Sequence, residues 1–308
     1  MSTYIGVDVA KQTLAVHVLP DQQTFTLANT AQGHAQLLER LAGRQVTNVL
    51  LEASGGYERG PALAWLQVGL PVTRVDPRRA KAMAVLLGKR AKTDPIDAAV
   101  LARMAQLVST PMALPDPRRE DLREAVQRRE QLIAQRDDER RRLHRATSDV
   151  VRNSLTTHIA SLQDQLQTLA KAIVELRSQL DAALADRLQA VPGIGPVTTA
   201  SLMAYLPELG TLDRRGIAAL VGLAPYNHDS GQHRGPRQIG GGRARLRRVL
   251  YMACHTVIRA QADFKARYDR LRERGKTAKV ALVACMRVLL IRLNAMVRDQ
   301  AEWRNSTS

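Results

Sequence analysis

Apolar residues fall in two regimes along this chain. Over the first hundred residues they run in short blocks with strand character: "YIGVDVA" (4–10), "TLAVHVL" (13–19), "TFTLAN" (24–29), "VTNVLLEA" (46–53) and "PVTRVDP" (71–77). A Pro20-Asp21 turn separates the second block from the third. Between the strands lie helical patterns: one carrying Leu37, Leu38 and Leu41, which Asn29 is placed to cap, and "PALAWLQ" (61–67). Two more helices follow, the second starting near Asp94. Three leading strands, then alternating helices and strands, predict a mixed sheet with helices packed on it.

The second regime is helical. "STPMALPDPRR" (109–119) holds three prolines and reads as a linker. From Leu155 the apolar positions step by four and three through Ile159, Leu162, Leu166, Leu169, Ile173, Leu176, Leu180 and Ala183. That heptad predicts a coiled coil. The helix before it is far more charged, and either a helical hairpin or a dimerising arm fits. Another unit begins near Leu188 and includes an apolar helix, "KVALVACMRVLLIRLNAMV" (279–297). The expected division is 1–110 (α/β domain), 117–186 (coiled-coil arm) and 187–304 (mostly helical domain).

Charge narrows the function. Among 308 residues there are 46 Lys and Arg against 29 Asp and Glu, a net +17, with ordinary hydrophobic content of 45%. A folded chain this basic meets a polyanion, nucleic acid first. At 3% aromatics, base stacking on an aromatic platform does not dominate. Cys254 and Cys285 lie in apolar stretches and suggest buried thiols in a reducing compartment. With no signal-peptide pattern and no uninterrupted apolar span, the expectation is a cytoplasmic protein with no membrane partner.

Four carboxylates stand out in the first domain. Asp8 interrupts an apolar strand, Glu52 ends another, and Asp94 and Asp97 stand three apart on one helix face. If the two strands are neighbours and the helix crosses them, the carboxylates converge, and hard cations such as Mg²⁺ or Mn²⁺ are the natural counter-charge. Each also has a plainer reading: Asp94-Pro95-Ile96-Asp97 is a good helix start, with Asp94 as cap, and Glu52 fits a solvated strand end. The opening hairpin also fits sugar-kinase and actin-type ATPases, but their second phosphate hairpin is missing. A P-loop is excluded too, because Arg270 stands where the first glycine belongs.

In the last domain, "LQAVPGIGPVTTASLMAYL" (188–206) has the pattern of a helix-hairpin-helix, whose Gly193 and Gly195 would let backbone N–H groups reach a phosphate; a simple tight turn is the alternative. "DSGQHRGPRQIGGGRARLRR" (229–248) sets a lone Ser230 among arginines and glycines. Its chemistry is that of a phosphate pocket with a hydroxyl nucleophile at its edge, or of an ordinary turn serine beside phosphate-binding arginines.

Seven blocks in order carry a family resemblance: "GVDVAK" (6–11), "LEASGGYE" (51–58), "KTDPIDAAVLA" (92–102), "VPGIGPVTTA" (191–200), "LVGLAPYNHDSG" (220–231), "RGPRQIGGGRARLRRVLYMA" (234–253) and "KVALVACMRVLL" (279–290). The chain resembles the IS110 family of insertion-sequence transposases and pilin-gene invertases, and its glycine-rich block looks most like the subgroup typified by IS1111. The resemblance implies an RNase H-like (RuvC-like) first domain whose DEDD site is Asp8, Glu52, Asp94 and Asp97, binding Mg²⁺ or Mn²⁺. It implies a coiled-coil arm and a transposase domain with Ser230 as nucleophile. It further implies donor and target DNA, an element-encoded bridge RNA, and a dimer or tetramer sharing composite sites in the bacterial cytoplasm, at the nucleoid. Lys11, Lys92, Gly193, Gly195, Arg234, Arg237, Arg243 and Arg245 are the expected nucleic-acid contacts, with Arg234, Arg237 and Arg243 as candidates to stabilise phosphorane charge. Relatives often carry an Arg-Phe pair where "TLDRRGIAALVG" (211–222) has no aromatic. A metal-dependent nuclease or junction resolvase without a covalent intermediate, and a non-catalytic nucleic-acid-binding protein, are the rival readings.

Overall fold

The computed structural model describes residues 2–89, 93–226, 229–230, 233–234 and 237–303; the side chains of residues 229, 230, 233 and 234 lie outside it. The chain divides into two compact units, Met1–Pro115 and Asp116–Ser308.

In the first unit the elements are β1 (Ser2–Val9), β2 (Thr13–Leu19), β3 (Gln23–Ala28), α1 (Ala31–Leu41), β4 (Gln45–Glu52), α2 (Arg59–Gln67), β5 (Val72–Val75), α3 (Pro77–Leu86) and α4 (Asp94–Leu107). The sheet order is β3-β2-β1-β4-β5. The first three strands are antiparallel, while β4 runs parallel to β1 and β5 to β4. This order and polarity are those of an RNase H-like domain. Strand alternation sends Ile5, Val7, Val9, Leu14 and Val16 to one face, where they pack with Leu37, Leu41 and Trp65 of α1 and α2. On the opposite face Leu50 and Val75 pack with Leu101, Met104 and Ala105 of α4.

The helix cap expected at Asn29 falls one residue later. Thr30 caps α1, its hydroxyl accepting from Gly33 N at 3.3 Å. Asn29 is instead occupied by tertiary hydrogen bonds.

The second unit holds α5 (Pro117–Arg145), α6 (Asp149–Gln189), α7 (Pro196–Tyr205), α8 (Arg214–Val221), the short strands β6 (Pro225–Tyr226), β7 (Asp229–Ser230), β8 (His233–Arg234) and β9 (Gln238–Ile239), then α9 (Ala244–Ala260), α10 (Ala262–Glu273) and α11 (Ala278–Arg298). α5 packs along α6, so the arm is a helical hairpin within one chain. Ile159, Leu162 and Ile173, from the heptad, are buried. The helix is broken at Asp181, where φ is −166° and ψ 96° and the carboxylate accepts from Leu184 N at 2.8 Å. That bond caps a new helical segment, so the apolar spacing runs on through a break it does not register.

α11 is long and apolar enough to cross a membrane by length and composition. In this fold it is a core helix: Leu282, Cys285, Met286, Leu289 and Leu293 are buried against α8 and α9. Both cysteines are buried and unbridged.

Candidate active site and nucleic-acid interface

The carboxylate-bearing segments meet because α4 lies directly on the sheet. A Cβ added to Gly6 would come within 2.1 Å of both Ala98 O and Ala102 N, so the backbones of β1 and α4 touch there. Further along, Asn48 of β4 donates its amide to Ala105 O at 3.1 Å and Val108 O at 2.7 Å. Asn48 is paired with Tyr4, towards the start of both strands. α4 therefore runs against β1 and β4, and its first turn points to the strand ends. Those ends are in register: Val7 pairs with Leu51, and Asp8 and Glu52 follow. Asp8 lies two residues from Gly6, and Glu52 lies two and four from Leu50 and Asn48, so both fall on the α4 face. The backbone thus brings Asp8, Glu52, Asp94 and Asp97 to one end of one sheet face.

The cap reading of Asp94 does not hold. The N-cap is Thr93, without a side-chain bond, and Asp94 is the first helical residue. Both helix carboxylates lie in the first turn, where the macrodipole favours negative charge. Asp94 is exposed, and Asp8, Glu52 and Asp97 are half-buried.

The loops flanking this edge are tied together by residues outside the expected set. Asn29 Nδ2 donates to Ala10 O (2.9 Å), in the turn after β1, and to Tyr57 O (3.3 Å), in the loop after β4. Its Oδ1 is hydrogen-bonded to His34 Nε2 at 2.8 Å. Within the loop, Glu58 is 4% exposed and accepts from Gly56 N (2.8 Å) and Ser54 N (3.1 Å), with Arg74 Nη1 at 3.4 Å. Burial alone would push its carboxyl up; the backbone N–H donors and Arg74 outweigh that and hold it below the usual range. Lys11 is exposed in the β1–β2 turn.

Four carboxylate oxygen donors at one edge suit a hard divalent cation. Among the described residues, no three His, Cys, Asp or Glu side chains are gathered closely enough to hold one. The fit therefore lies in donor chemistry and backbone placement, with the side chains not drawn together. Lys92 lies outside the described residues.

Ser230 sits in a two-tier ribbon. β6 pairs with β9, Tyr226 opposite Gln238, and within that bracket β7 pairs with β8, Ser230 opposite His233 and Asp229 opposite Arg234. The Ser230 and Arg234 side chains lie outside the described residues. Arg237 is exposed beside β9. Arg243 is committed elsewhere: it holds Glu208 through two 2.6 Å bonds and Tyr205 O at 2.8 Å. Burial pushes the Glu208 carboxyl up, and Arg243, with a backbone N–H donor and Arg119, more than reverses this. Arg245 also has partners: Glu130 at 3.1 Å, the Tyr205 hydroxyl, and the Tyr205 ring with its centroid at 4.7 Å.

The helix-hairpin-helix pattern is realised by α6, the turn Val191–Ile194 and α7, whose N-cap is Gly195. Gly193 has φ +93°, and a Cβ there would come within 2.7 Å of Val257 Cα and N, so this glycine lets the turn seat on α9. Gly195 meets no such neighbour and is exposed, leaving the start of α7 open. An open groove of about 870 Å³ runs past Gly193, Gly195, Thr198, Arg245, Arg248 and Thr256. It unites three of the expected contacts, Gly193, Gly195 and Arg245.

Comparison with known proteins is decisive for ancestry. Residues 5–152 match the DEDD IS110 model, described as a transposase, and residues 185–269 match the model described as Transposase IS116/IS110/IS902 family. The chain belongs to the IS110 family of transposases. It is 28% identical over 315 residues to the pilin gene-inverting protein of Moraxella lacunata, covering 96% of each chain. An uncharacterized 43.6 kDa protein of insertion element IS110 from Streptomyces coelicolor is 30% identical over 156 residues, covering 50% of this chain and 38% of that one. A solved structure, T. thermophilus RuvC in complex with Holliday junction substrate, aligns with 36% of this chain and 99% of its own at 17% identity and a TM-score of 0.27.

As an IS110-family member the chain is a transposase or recombinase acting on DNA. Three residues at its candidate sites escaped the sequence reading. Arg248 is one helical turn from Arg245 on α9, so its groove position was readable from i,i+3 spacing. Asn29 and Glu58 were not, because their partners are backbone groups of distant loops.

Proposed function

We propose that this transposase cuts and rejoins DNA at a site combining the four carboxylates with Ser230, guided by an RNA encoded in its own element. The antiparallel crossing of α4 over β1 and β4 carries the reading, because it explains why a helix-borne Asp94 and Asp97 belong with a strand-borne Asp8 and Glu52. Those four residues would hold Mg²⁺ or Mn²⁺. The ion would supply charge neutralisation at the scissile phosphate. The Ser230 hydroxyl gives up its proton to solvent as Oγ attacks phosphorus, the bond from phosphorus to the 3′ oxygen breaks, and the leaving oxygen takes up a proton as a free 3′-hydroxyl. The product is a phosphoserine ester. Rejoining is the reverse attack by a new 3′-hydroxyl.

Other residues act through charge and position. Arg234 and Arg237, on or beside the serine ribbon, stabilise charge on the attacked phosphate. Arg243 is better assigned to fixing the start of α9 through Glu208. Gly195 N–H, Arg245 and Arg248 hold a nucleic-acid backbone along their groove, while Lys11 does so at the carboxylate edge. The +17 net charge supports a large polyanionic partner set, and a guide RNA beside donor and target DNA is consistent with it. Assembly as a dimer or tetramer would pair carboxylates of one subunit with the serine of another.

Complementation tests the shared site. Asp8→Asn and Ser230→Ala proteins, each inactive alone, should restore recombination when mixed. Failure to complement, with both variants folded and assembled, would place the whole site within one subunit.

A further inference from the structure

On the side of α11 that faces the serine ribbon lies a second groove, of about 760 Å³. Five cations line it, Arg214, Arg237, Arg267, Lys279 and Arg287, with no acid among the described residues that line it. Its floor is apolar, made by Ile239, Val280, Val283 and Ile291. Val280 is 51% exposed and Ile239 is 36% exposed, so part of the floor is bare to solvent. Arg287 Nε is buried without a hydrogen-bond partner. Pro225 and Ile239, which pair at the base of the ribbon carrying Ser230, also line the groove.

These features ask for a particular ligand. Five cations with no acid among the described lining residues call for an anion. An apolar floor under them calls for a flat or greasy group attached to that anion. The volume lies in the range of small-ligand pockets, large enough for a nucleotide. A duplex presents its phosphates outward and hides its base faces in the stack, so it satisfies the cations and leaves the floor wet. A single strand offers both at once, phosphate to the rim and an unstacked base to the floor.

We infer that this groove binds an unpaired nucleotide segment of the nucleic acid whose phosphate is delivered to Ser230. The inference rests on the reading that the chain processes DNA through that ribbon. Arg237, Arg267 and Lys279 take successive phosphates at the rim, and Val280 and Ile239 receive a base face. Arg287 gains the acceptor it lacks. On that reading the strand is DNA, and the probes below separate it from RNA.

Affinity measured by fluorescence anisotropy, in EDTA so that no strand is cut, is the test. The probes are labelled oligothymidylate, labelled oligouridylate and a DNA duplex of equal length, each titrated against salt. For the Arg267→Ser/Lys279→Ser double variant, single-strand affinity is expected to fall about tenfold. The salt slope should shrink by about 1.4, two phosphates at about 0.7 each. Duplex affinity should change less than about twofold, because duplex binding uses other surfaces. Val280→Ser, exposed and conservative in size, should weaken the single strand severalfold with the slope unchanged, a signature of lost base contact. The loss should be at least as large for oligothymidylate as for oligouridylate; a loss confined to oligouridylate would assign the groove to RNA and overturn the proposal.

Equal loss for duplex and single strand would overturn the proposal, as would unchanged single-strand affinity in the double variant. A change of oligomeric state in place of affinity would mean that the groove seats a second copy of the chain, and would also overturn it. The serine reading fails separately, by normal groove binding in a wild type that never forms a protein–DNA adduct.

Discussion

Gly6 and Ala98 touch backbone to backbone, with no room for a side chain between β1 and α4. This contact sets the depth at which α4 rests on the sheet, and so where Asp94 and Asp97 stand relative to Asp8 and Glu52. Gly6→Ala should destabilise the chain by about 1–3 kcal/mol or more, since the opposing atoms are helix backbone and cannot rotate away. Thermal melts should show the loss, and DNA cleavage should fall even well below the melting temperature. Wild-type stability and activity in Gly6→Ala would show that α4 is free to shift.

Asn29 links the turn after Asp8 to the loop after Glu52. Asn29→Ala removes two donated hydrogen bonds and the His34 contact, at a cost of about 1–3 kcal/mol. Hydrogen exchange should rise at Ala10 and around Tyr57, with the second unit unaffected. Asn29→Asp, which keeps the shape but loses the donors, should behave like the alanine variant.

Glu58 gives the loop after β4 a pH dependence. Its carboxyl is held below the usual range when folded, so its contribution is complete above the ordinary carboxylate pKa. It is lost as pH falls through the lowered folded value. Glu58→Gln should lower the melting temperature at neutral pH, and the gap to wild type should close only as pH falls through the lowered folded value. A gap that stays constant with pH would remove the charged form from the account.

Arg243 and Arg237 should separate stability from nucleic-acid binding. Arg243→Ala strands the half-buried Glu208 and should cost about 1.5–3 kcal/mol. Arg237→Ala, on an exposed side chain, should leave the melt unchanged and weaken nucleic-acid binding with a smaller salt slope. Reversal of these two outcomes would return Arg243 to the reacting phosphate.

The strands of the first unit were legible because each face is covered, so alternation and short apolar blocks marked them directly. The four carboxylates were legible as residue types on those elements. The meeting of those elements at one sheet edge was not, since the direction of α4 is fixed by Gly6 and Asn48 packing across the sheet. Cap positions slipped by one residue at Asn29 and at Asp94, because Asn, Thr and Asp are interchangeable as caps and only tertiary bonds decide among neighbours. The heptad falls on α6, but it could not distinguish a hairpin from a dimerising helix, and Asp181, at a non-core position, left no trace in the apolar spacing. The arginines looked alike in sequence. Arg243, paired with Glu208, and Arg237, exposed beside a cation-lined groove, differ only through partners far along the chain.

The most direct measurement is the search for an SDS-resistant protein–DNA adduct, made with the protein, its element's flanking DNA as donor and source of any guide RNA, target DNA and Mg²⁺. The account predicts an adduct in wild type that is absent in Ser230→Ala, in Asp8→Asn and in EDTA, and whose linkage maps to Ser230. Strand cleavage without any adduct, at the same rate in Ser230→Ala, would contradict it and leave a metal-dependent nuclease in its place.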